Sequence, residues 1–248
     1  MDDIGKKIIY KDEVTSTNDI AKDIAKRTDS HGSIIIAQRQ TKARGRLGRT
    51  WDSNNDDGVW MSVILTPSFN PFILQKITLI MAVSIWQTLS KIAGVDCQIK
   101  WPNDILLDSK KICGILCESQ FMGTKSKYVI AGVGININQN LFEDDLQKSA
   151  ISLKMYTGKE HRKDDIINEF VKSLQENYKM IDDAGWYQIL EFYKSKCSTL
   201  GKFVRLGDME QAIDYKAIDV NESGNLILSN RFGEIKQIVS NEIFEIKN

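Results

Sequence analysis

Histidine, proline and cysteine are all scarce in this chain, with only two His, three Pro and four Cys among 248 residues. The two histidines, His31 and His161, lie far from each other and from the Cys113/Cys117 pair, so no Cys/His set has metal-ligand spacing. No metal site is expected. The cysteines also lack the density and pairing of a secreted disulfide scaffold, which points to a reducing, cytoplasmic setting. Cys113 and Cys117 sit four apart in a β-like run and share one strand face. They are expected, with Cys97 and Cys197, to be buried small hydrophobes.

Excess charge is missing too: 33 basic residues balance 33 acidic ones, and the pI is about 6.7. A nucleic-acid binder usually spreads surplus Lys and Arg over a broad face to neutralise many phosphates. Long hydrophobic runs are missing as well. The most apolar stretch, Ile77 to Ile85, is flanked by Gln75-Lys76 and Gln87, too short and interrupted to span a bilayer. Residues 1–13 are charged throughout and carry no signal peptide. With 42% hydrophobic and 27% charged residues, the chain has the material for a substantial core and one large or two unequal domains.

Against this balanced background one segment stands out. Arg39, Lys42, Arg44, Arg46 and Arg49 place five cations within residues 39–49, with no acid among them and with Gly45 and Gly48 loosening the backbone. A loop of this kind suits a small anionic ligand better than a long polyanion. It joins two segments that read as buried strands, 33–38 and 59–66, and is expected to be a mobile connection.

The rest of the chain reads as an α/β section followed by a β-rich end. Ser16 to Asp19 offer capping side chains to a short amphipathic helix carrying Ile20, Ala21, Ile24 and Ala25. Residues 74–93 are apolar nearly all round and predict a buried helix ended at Gly94. Strands follow at 98–101, 105–107, 111–118 and 128–137, the middle two as a hairpin through Asp108-Ser109-Lys110. Helical spacing returns at 163–181 and 184–196. Short strands at 202–206, 213–220, 225–229 and 234–239, with Gly207, Gly224 and Gly233 at turns, predict a small β-barrel. The boundary falls near Cys197, dividing the chain into residues 1–197 and 198–248.

Familiar nucleotide and nucleophile motifs are absent. Gly45, Gly48, Gly132 and Gly134 complete no dinucleotide fingerprint, no P-loop spacing occurs, and there is no Ser-centred nucleophile elbow. Taken singly, the remaining polar features have structural readings. Ser16 to Asn18 could be a helix cap, Lys111 a solvated hairpin residue, Asn103-Asp104 turn formers, and Trp51 and Trp101 core.

Taken together they resemble one family. Ser16-Thr17-Asn18, the Arg-Gly-Arg loop with Trp51, Lys100-Trp101-Pro102-Asn103-Asp104 with Lys111 and Gly114, and Gly132-Val133-Gly134-Ile135-Asn136 follow the order and spacing of biotin protein ligases. The resemblance covers essentially the whole chain. It implies an α+β fold, with a mixed sheet packed by helices in a class II synthetase-like catalytic domain plus the C-terminal barrel. It also implies ATP-dependent conversion of biotin to biotinyl-5′-AMP, then transfer to a lysine of a biotin carboxyl carrier protein.

By position, the resemblance places Ser16, Thr17, Asn18 and Gln40 at the biotin end. Arg44, Gly45 and Arg46 would surround the carboxylate and α-phosphate, Lys111 would sit on the reacting oxygens, and Gly114 at the biotin side, with Gly132 and Gly134, would let the ligand approach the strands closely. Arg46, Arg49, Trp51, Asn103, Lys111, Gly132 and Asn136 would bind ATP, with Trp51 stacking and Asn136 contacting adenine. Asp104 would orient or accept the proton of the attacking amine. Mg²⁺ would accompany ATP, and a cytoplasmic homodimer is implied. Members that bind DNA do so through an extra N-terminal helix-turn-helix; here the catalytic pattern begins by Glu13, so neither DNA nor membrane is an expected partner. The family usually has glycine where this chain has Ala43, and a Cβ there would restrict loop closure if that residue needed positive φ. Three other readings remain: a lipoate ligase or octanoyltransferase on the same fold, against which Gln40 and Ser16-Thr17-Asn18 argue; a nucleic-acid-binding module using the Arg-rich loop; and an inactive acceptor-binding protein, against which the intact Lys111 and Arg46 argue.

Overall fold

β-branched and aromatic runs build a central seven-stranded sheet. Its strands are β1 (Ile8–Val14), β2 (Ile34–Gln40), β3 (Gly58–Leu65), β4 (Gln98–Lys100), β5 (Asp104–Leu107), β6 (Lys110–Met122) and β7 (Lys125–Asn136). Their spatial order is β1-β2-β3-β7-β6-β5-β4. β1 runs parallel to β2 and the other pairings are antiparallel, so the sheet is mixed. The structure is a computed structural model describing residues 4–27, 29–67, 73–122, 125–143, 145–181, 185–206, 213–239 and 245–247.

β3 is buried along its whole length because helices cover the sheet on both sides. On one side α1 (Thr17–Arg27) lays Ala21 against Ile35, Ile64, Tyr128 and Ile130. The opposite side carries α2 (Ile73–Ala93), which ends at Gly94, φ +67, as its sequence predicts. The apolar run expected to be too short for a bilayer therefore belongs to a helix that is, by length and composition, long enough to cross one. Its apolar surface is instead covered by the sheet and neighbouring helices, as in a core helix. Two short helices, α3 (Leu146–Ser149) and α4 (Leu153–Thr157), follow β7, and α5 (Lys163–Lys179) and α6 (Gly185–Lys196) pack on α2. Asn177 of α5 donates to Ser84 Oγ at 2.9 Å and Gln87 Oε1 at 2.8 Å on α2.

The C-terminal part is antiparallel: β8 (Phe203–Leu206), β9 (Ile213–Val220), β10 (Leu226–Ser229), β11 (Ile235–Ile238) and β12 (Glu245–Lys247), in the order β11-β10-β9-β8-β12. The expected turn at Gly207 lies outside the described residues. The two sheets share one continuous core, in which Val204, Tyr215 and Leu226 join the cluster around α2. Trp101 ties them together, its N–H bonding Thr199 Oγ1 and its indole Nε1 bonding the Gly224 carbonyl, both at 3.0 Å.

β1, which its charged sequence does not suggest, is an exposed edge strand, where Lys11, Asp12 and Glu13 discourage pairing with another chain. The four cysteines are free, and burial pushes the Cys97 and Cys117 thiols up to about 12.

The half-buried His31, just before β2, accepts the Thr66 N–H on Nδ1 at 3.0 Å, a bond only the neutral ring makes. Burial lowers its pKa from 6.5, with Asp29 opposing. The unfolded chain therefore holds this proton more readily than the folded one. The contribution to stability is complete above about pH 6.5 and declines as the pH falls below it. Thermal melts between pH 7.5 and 5.5 should show a shallower loss of Tm for His31→Gln than for the wild type. Parallel curves would remove His31 as the titrating group.

Candidate active site

A cleft of about 370 Å³ opens on the α1 side of the main sheet, beyond the end of that helix. Its floor is made by strands without side chains: Gly114 of β6 and Gly132 and Gly134 of β7. A Cβ on Gly132 would stand 2.3 Å from Asn18 Oδ1, and one on Gly134 would stand 2.4 Å from Trp51 Nε1. Only glycine admits these two side chains against the sheet.

One end of the cleft is polar and uncharged. Helix α1 starts at Thr17, and its backbone N–H is taken by Gln40 Oε1 at 2.8 Å. Gln40 thus caps α1 from β2, while Thr17 and Asn18 turn their side chains to the cleft. Ser62 of β3, wholly buried, lies 2.7 Å from Thr17 Oγ1 and 2.6 Å from Asn18 Oδ1.

The other end is cationic. Residues 43–51 fold back on themselves: Trp51 N–H bonds the Ala43 carbonyl at 3.1 Å, Arg44 pairs with Thr50, and Gly45 N–H bonds the Arg49 carbonyl at 2.7 Å. A single 3-10 turn, Arg46–Gly48, forms the tip, with Leu47 and Gly48 at positive φ. Ala43 is not at positive φ, so its Cβ brings no backbone strain to this conformation.

Arg44, Arg46 and Lys111 each have a partner. Arg44 forks onto Asp19 of α1 at 2.5 and 3.1 Å, which lowers the Asp19 pKa and raises that of Arg44. Arg46 donates to the neutral Asn103 Oδ1 at 2.9 Å, and burial pulls its pKa down against the opposing charge of Asp104. Lys111 Nζ stands 2.8 Å from Asp104 Oδ1, an ion pair whose angle falls short of a hydrogen bond. The same ammonium lies 5.1 Å from the Trp51 ring centroid, within cation–π range.

Lys111 reaches the cleft because of a register shift. Ile105 pairs with Cys113 but Leu106 pairs with Lys111, so one extra residue on β6 bulges out. Without it, Lys111 and Gly114, an odd spacing apart, would point to opposite faces. Asp108 and Ser109, both at positive φ, close the two-residue β5–β6 turn.

The pattern of the biotin/lipoate A/B protein ligase family matches residues 10–136. The chain belongs to that family. The bifunctional ligase/repressor BirA of Bacillus subtilis is 34% identical over 97% of this chain and 74% of its own length. The biotin--[acetyl-CoA-carboxylase] ligase of Paracoccus denitrificans is 26% identical over 87% of this chain and 91% of its own. Among solved structures, the biotin protein ligase from Aquifex aeolicus in complex with biotin and ATP superposes with a TM-score of 0.82. It shares 31% identity and covers 96% of this chain and 98% of its own.

Of the residues the sequence nominates, Ser16, Thr17, Asn18, Gln40, Arg44, Gly45, Arg46, Arg49, Trp51, Asn103, Asp104, Lys111, Gly114, Gly132 and Gly134 all line this one cleft of the family fold. Asn136 does not. It is buried beneath Lys111, donating to the Lys111 carbonyl at 3.3 Å and the Ile151 carbonyl at 3.2 Å, and so fastens β7 to β6 and the segment before α4. Sequence reasoning also missed the apolar lining, Met61, Leu116 and Val133, and the supports Ser62 and Glu118. Met61 and Val133 read only as core of buried strands; for Ser62 and Glu118, nothing in the local sequence separates them from ordinary strand residues.

Asn136→Ala strands the buried Ile151 carbonyl, which costs about 1–3 kcal/mol. Urea unfolding should register that loss while the folded variant keeps nucleotide affinity close to wild type. A large affinity loss at unchanged stability would return Asn136 to the ligand.

Proposed function

We propose that this protein activates biotin with ATP to biotinyl-5′-AMP and pyrophosphate, then transfers the biotin to one lysine of a biotin carboxyl carrier domain. The observation that carries this reading is the cleft itself: a neutral amide-and-hydroxyl end and a cationic end meet across a glycine floor. A urea-bearing head group with a carboxylate at its far end matches both. ATP fits beside it, and the related Aquifex aeolicus enzyme is known in complex with those two ligands.

In the first step the biotin carboxylate attacks the α-phosphorus and pyrophosphate leaves. Two anions must be held together while charge moves onto the leaving group. Arg44 and Arg46 supply planar forks for carboxylate and phosphate oxygens, and Lys111 a compact charge at the reacting atoms. Donors of this kind contribute roughly 3–4 kcal/mol each when pre-aimed, and orientation about 7 kcal/mol or more. Trp51 and Asn103 flank the nucleotide, with Arg49 on the phosphates. In the second step the carrier lysine attacks the acyl carbon and AMP departs, with Asp104 placed to orient the amine or take its proton.

Among the described residues no group of three or more His, Cys, Asp or Glu gathers to hold a metal. A magnesium ion accompanying ATP is therefore assigned to the triphosphate and water, with Asp104 the nearby carboxylate, and it would neutralise phosphate charge. We further propose a cytoplasmic enzyme that pairs as a homodimer, with residues 198–248 forming a second unit packed on the catalytic one. Light scattering at a monomer mass would exclude the dimer.

The deciding experiment is biotin-dependent exchange of pyrophosphate into ATP, run with lipoate and octanoate as competitors because the family includes lipoate ligases. Exchange supported by lipoate and not by biotin would overturn the substrate. Lys111→Ala should lose roughly 10²-fold or more of this exchange with its melting temperature nearly unchanged, since a partly exposed ion pair adds little to stability. Full exchange in that variant removes Lys111 from the reacting atoms. Proteolysis between Arg44 and Arg49 should slow when biotin and ATP are added together, as a closing loop requires. Equal cleavage with and without the ligands would count against closure.

A further inference from the structure

Behind the neutral end of the cleft stands a carboxylate that none of the steps above uses. Glu118 projects from β6 and accepts from Asn18 Nδ2 at 2.6 Å through one oxygen and from Lys22 Nζ at 2.6 Å through the other. An ionised carboxylate only accepts, so the Asn18 group facing it must be the amide NH₂. The Leu116 carbonyl, 3.4 Å from the same nitrogen, agrees. Asn18 is thereby left with its Oδ1 turned away from Glu118, 2.6 Å from Ser62 Oγ.

The protons then fall into one order. Asn18 Oδ1 has no proton to give, so Ser62 spends its single hydroxyl proton on it. Thr17 Oγ1 lies 2.7 Å from Ser62 Oγ and 3.1 Å from Gln40 Oε1, two acceptors for its single proton, and either one draws that proton into the protein. Gln40 Oε1 is already bonded by the Thr17 N–H, and Gln40 Nε2 donates to Ser53 Oγ at 3.3 Å. Every one of these donors is directed away from the cleft, so Thr17 and Asn18 offer the ligand acceptors. Thr17, Asn18 and Ser62 are all buried, where water cannot compensate a wrong polarity.

We infer that Glu118 is a positioning residue that sets this polarity: by holding the Asn18 NH₂ it commits Asn18 and, through the buried Ser62 hydroxyl, Thr17 to present acceptors to N–H groups of the ligand's urea. The inference rests on the biotin reading above, and it makes Glu118 a determinant of specificity without contact to the substrate. In Glu118→Gln the replacement can accept or donate, so either orientation of Asn18 becomes available.

The test compares biotin with an analogue methylated on a ureido nitrogen, each in pyrophosphate exchange. Glu118→Gln is expected to raise the KM for biotin about tenfold, the effect of one buried hydrogen bond, and to do so more than it lowers kcat. The preference for biotin over the methylated analogue should shrink by a similar factor. Asn18→Asp sets two carboxylates face to face and should lose most biotin binding. Adding Glu118→Gln should restore part of it, because the introduced amide donates to the introduced carboxylate. An unchanged preference in Glu118→Gln, or a double variant no better than Asn18→Asp alone, would overturn the inference. Absence of biotin-dependent exchange in the wild type would instead remove the biotin reading, and this inference with it.

Discussion

Five cations, Arg44, Arg46, Arg49, Lys100 and Lys111, line one cleft, and the structure around three of them is arranged to hold like charges together. Arg44, Arg46 and Lys111 each lean on a different neighbour: Asp19 from α1, Asn103 before β5, and Asp104 at the start of β5. The partners differ in strength. Asp19 meets Arg44 as a bidentate pair, whereas Arg46 has a neutral amide opposite it and is the more buried of the two arginines. A partly buried guanidinium whose hydrogen-bond partner is neutral, with the Asp104 charge only nearby, is incompletely compensated. An anion placed beside the pair would gain more at Arg46 than at Arg44, whose carboxylate partner is already in place.

The cations can converge only because the sheet beneath them is bare. Gly114 and Gly134 face each other across β6 and β7, and Trp51 rests on both. Lys111 is brought to the same face by the β6 bulge, and its backbone carbonyl is held from below by Asn136. The loop, the bulge and the glycine pair thus depend on one another. A side chain on the floor would lift Trp51, and Trp51 carries both the Lys111 contact and the return strand of the loop.

The fold was legible wherever apolar period decided it. α2 and its Gly94 cap, the β5–β6 turn and four strands of the C-terminal sheet lie within a residue or two of their sequence expectation, whereas β6 extends four residues further than expected and β12 was not anticipated. β1 was not, because an exposed edge strand has no buried face to impose alternation and Ile8–Val14 reads as charge. The cleft was legible where unusual residue types cluster, in the Arg-rich loop and the Lys100 to Asp104 run. It was not legible where ordinary residues act through register. Ser62 and Glu118 matter because β3 and β6 place them opposite Thr17 and Asn18, and pairing of that kind is long-range. Asn136 shows the converse: a polar residue in a motif whose amide turns under the site to satisfy backbone carbonyls.

Ala43 bears on how the loop is held. Positive φ in this loop falls at Leu47 and Gly48, at the tip, while Ala43 sits at the root, buried and bonded through its carbonyl to Trp51. Alanine has fewer backbone states than glycine, so at a root position that needs no positive φ it lowers the entropy of the unfolded chain without straining this conformation. The left-handed residues are confined to the tip, past the Arg44–Asp19 pair, so the Cβ at position 43 does not compete with the turn that presents Arg46 and Arg49.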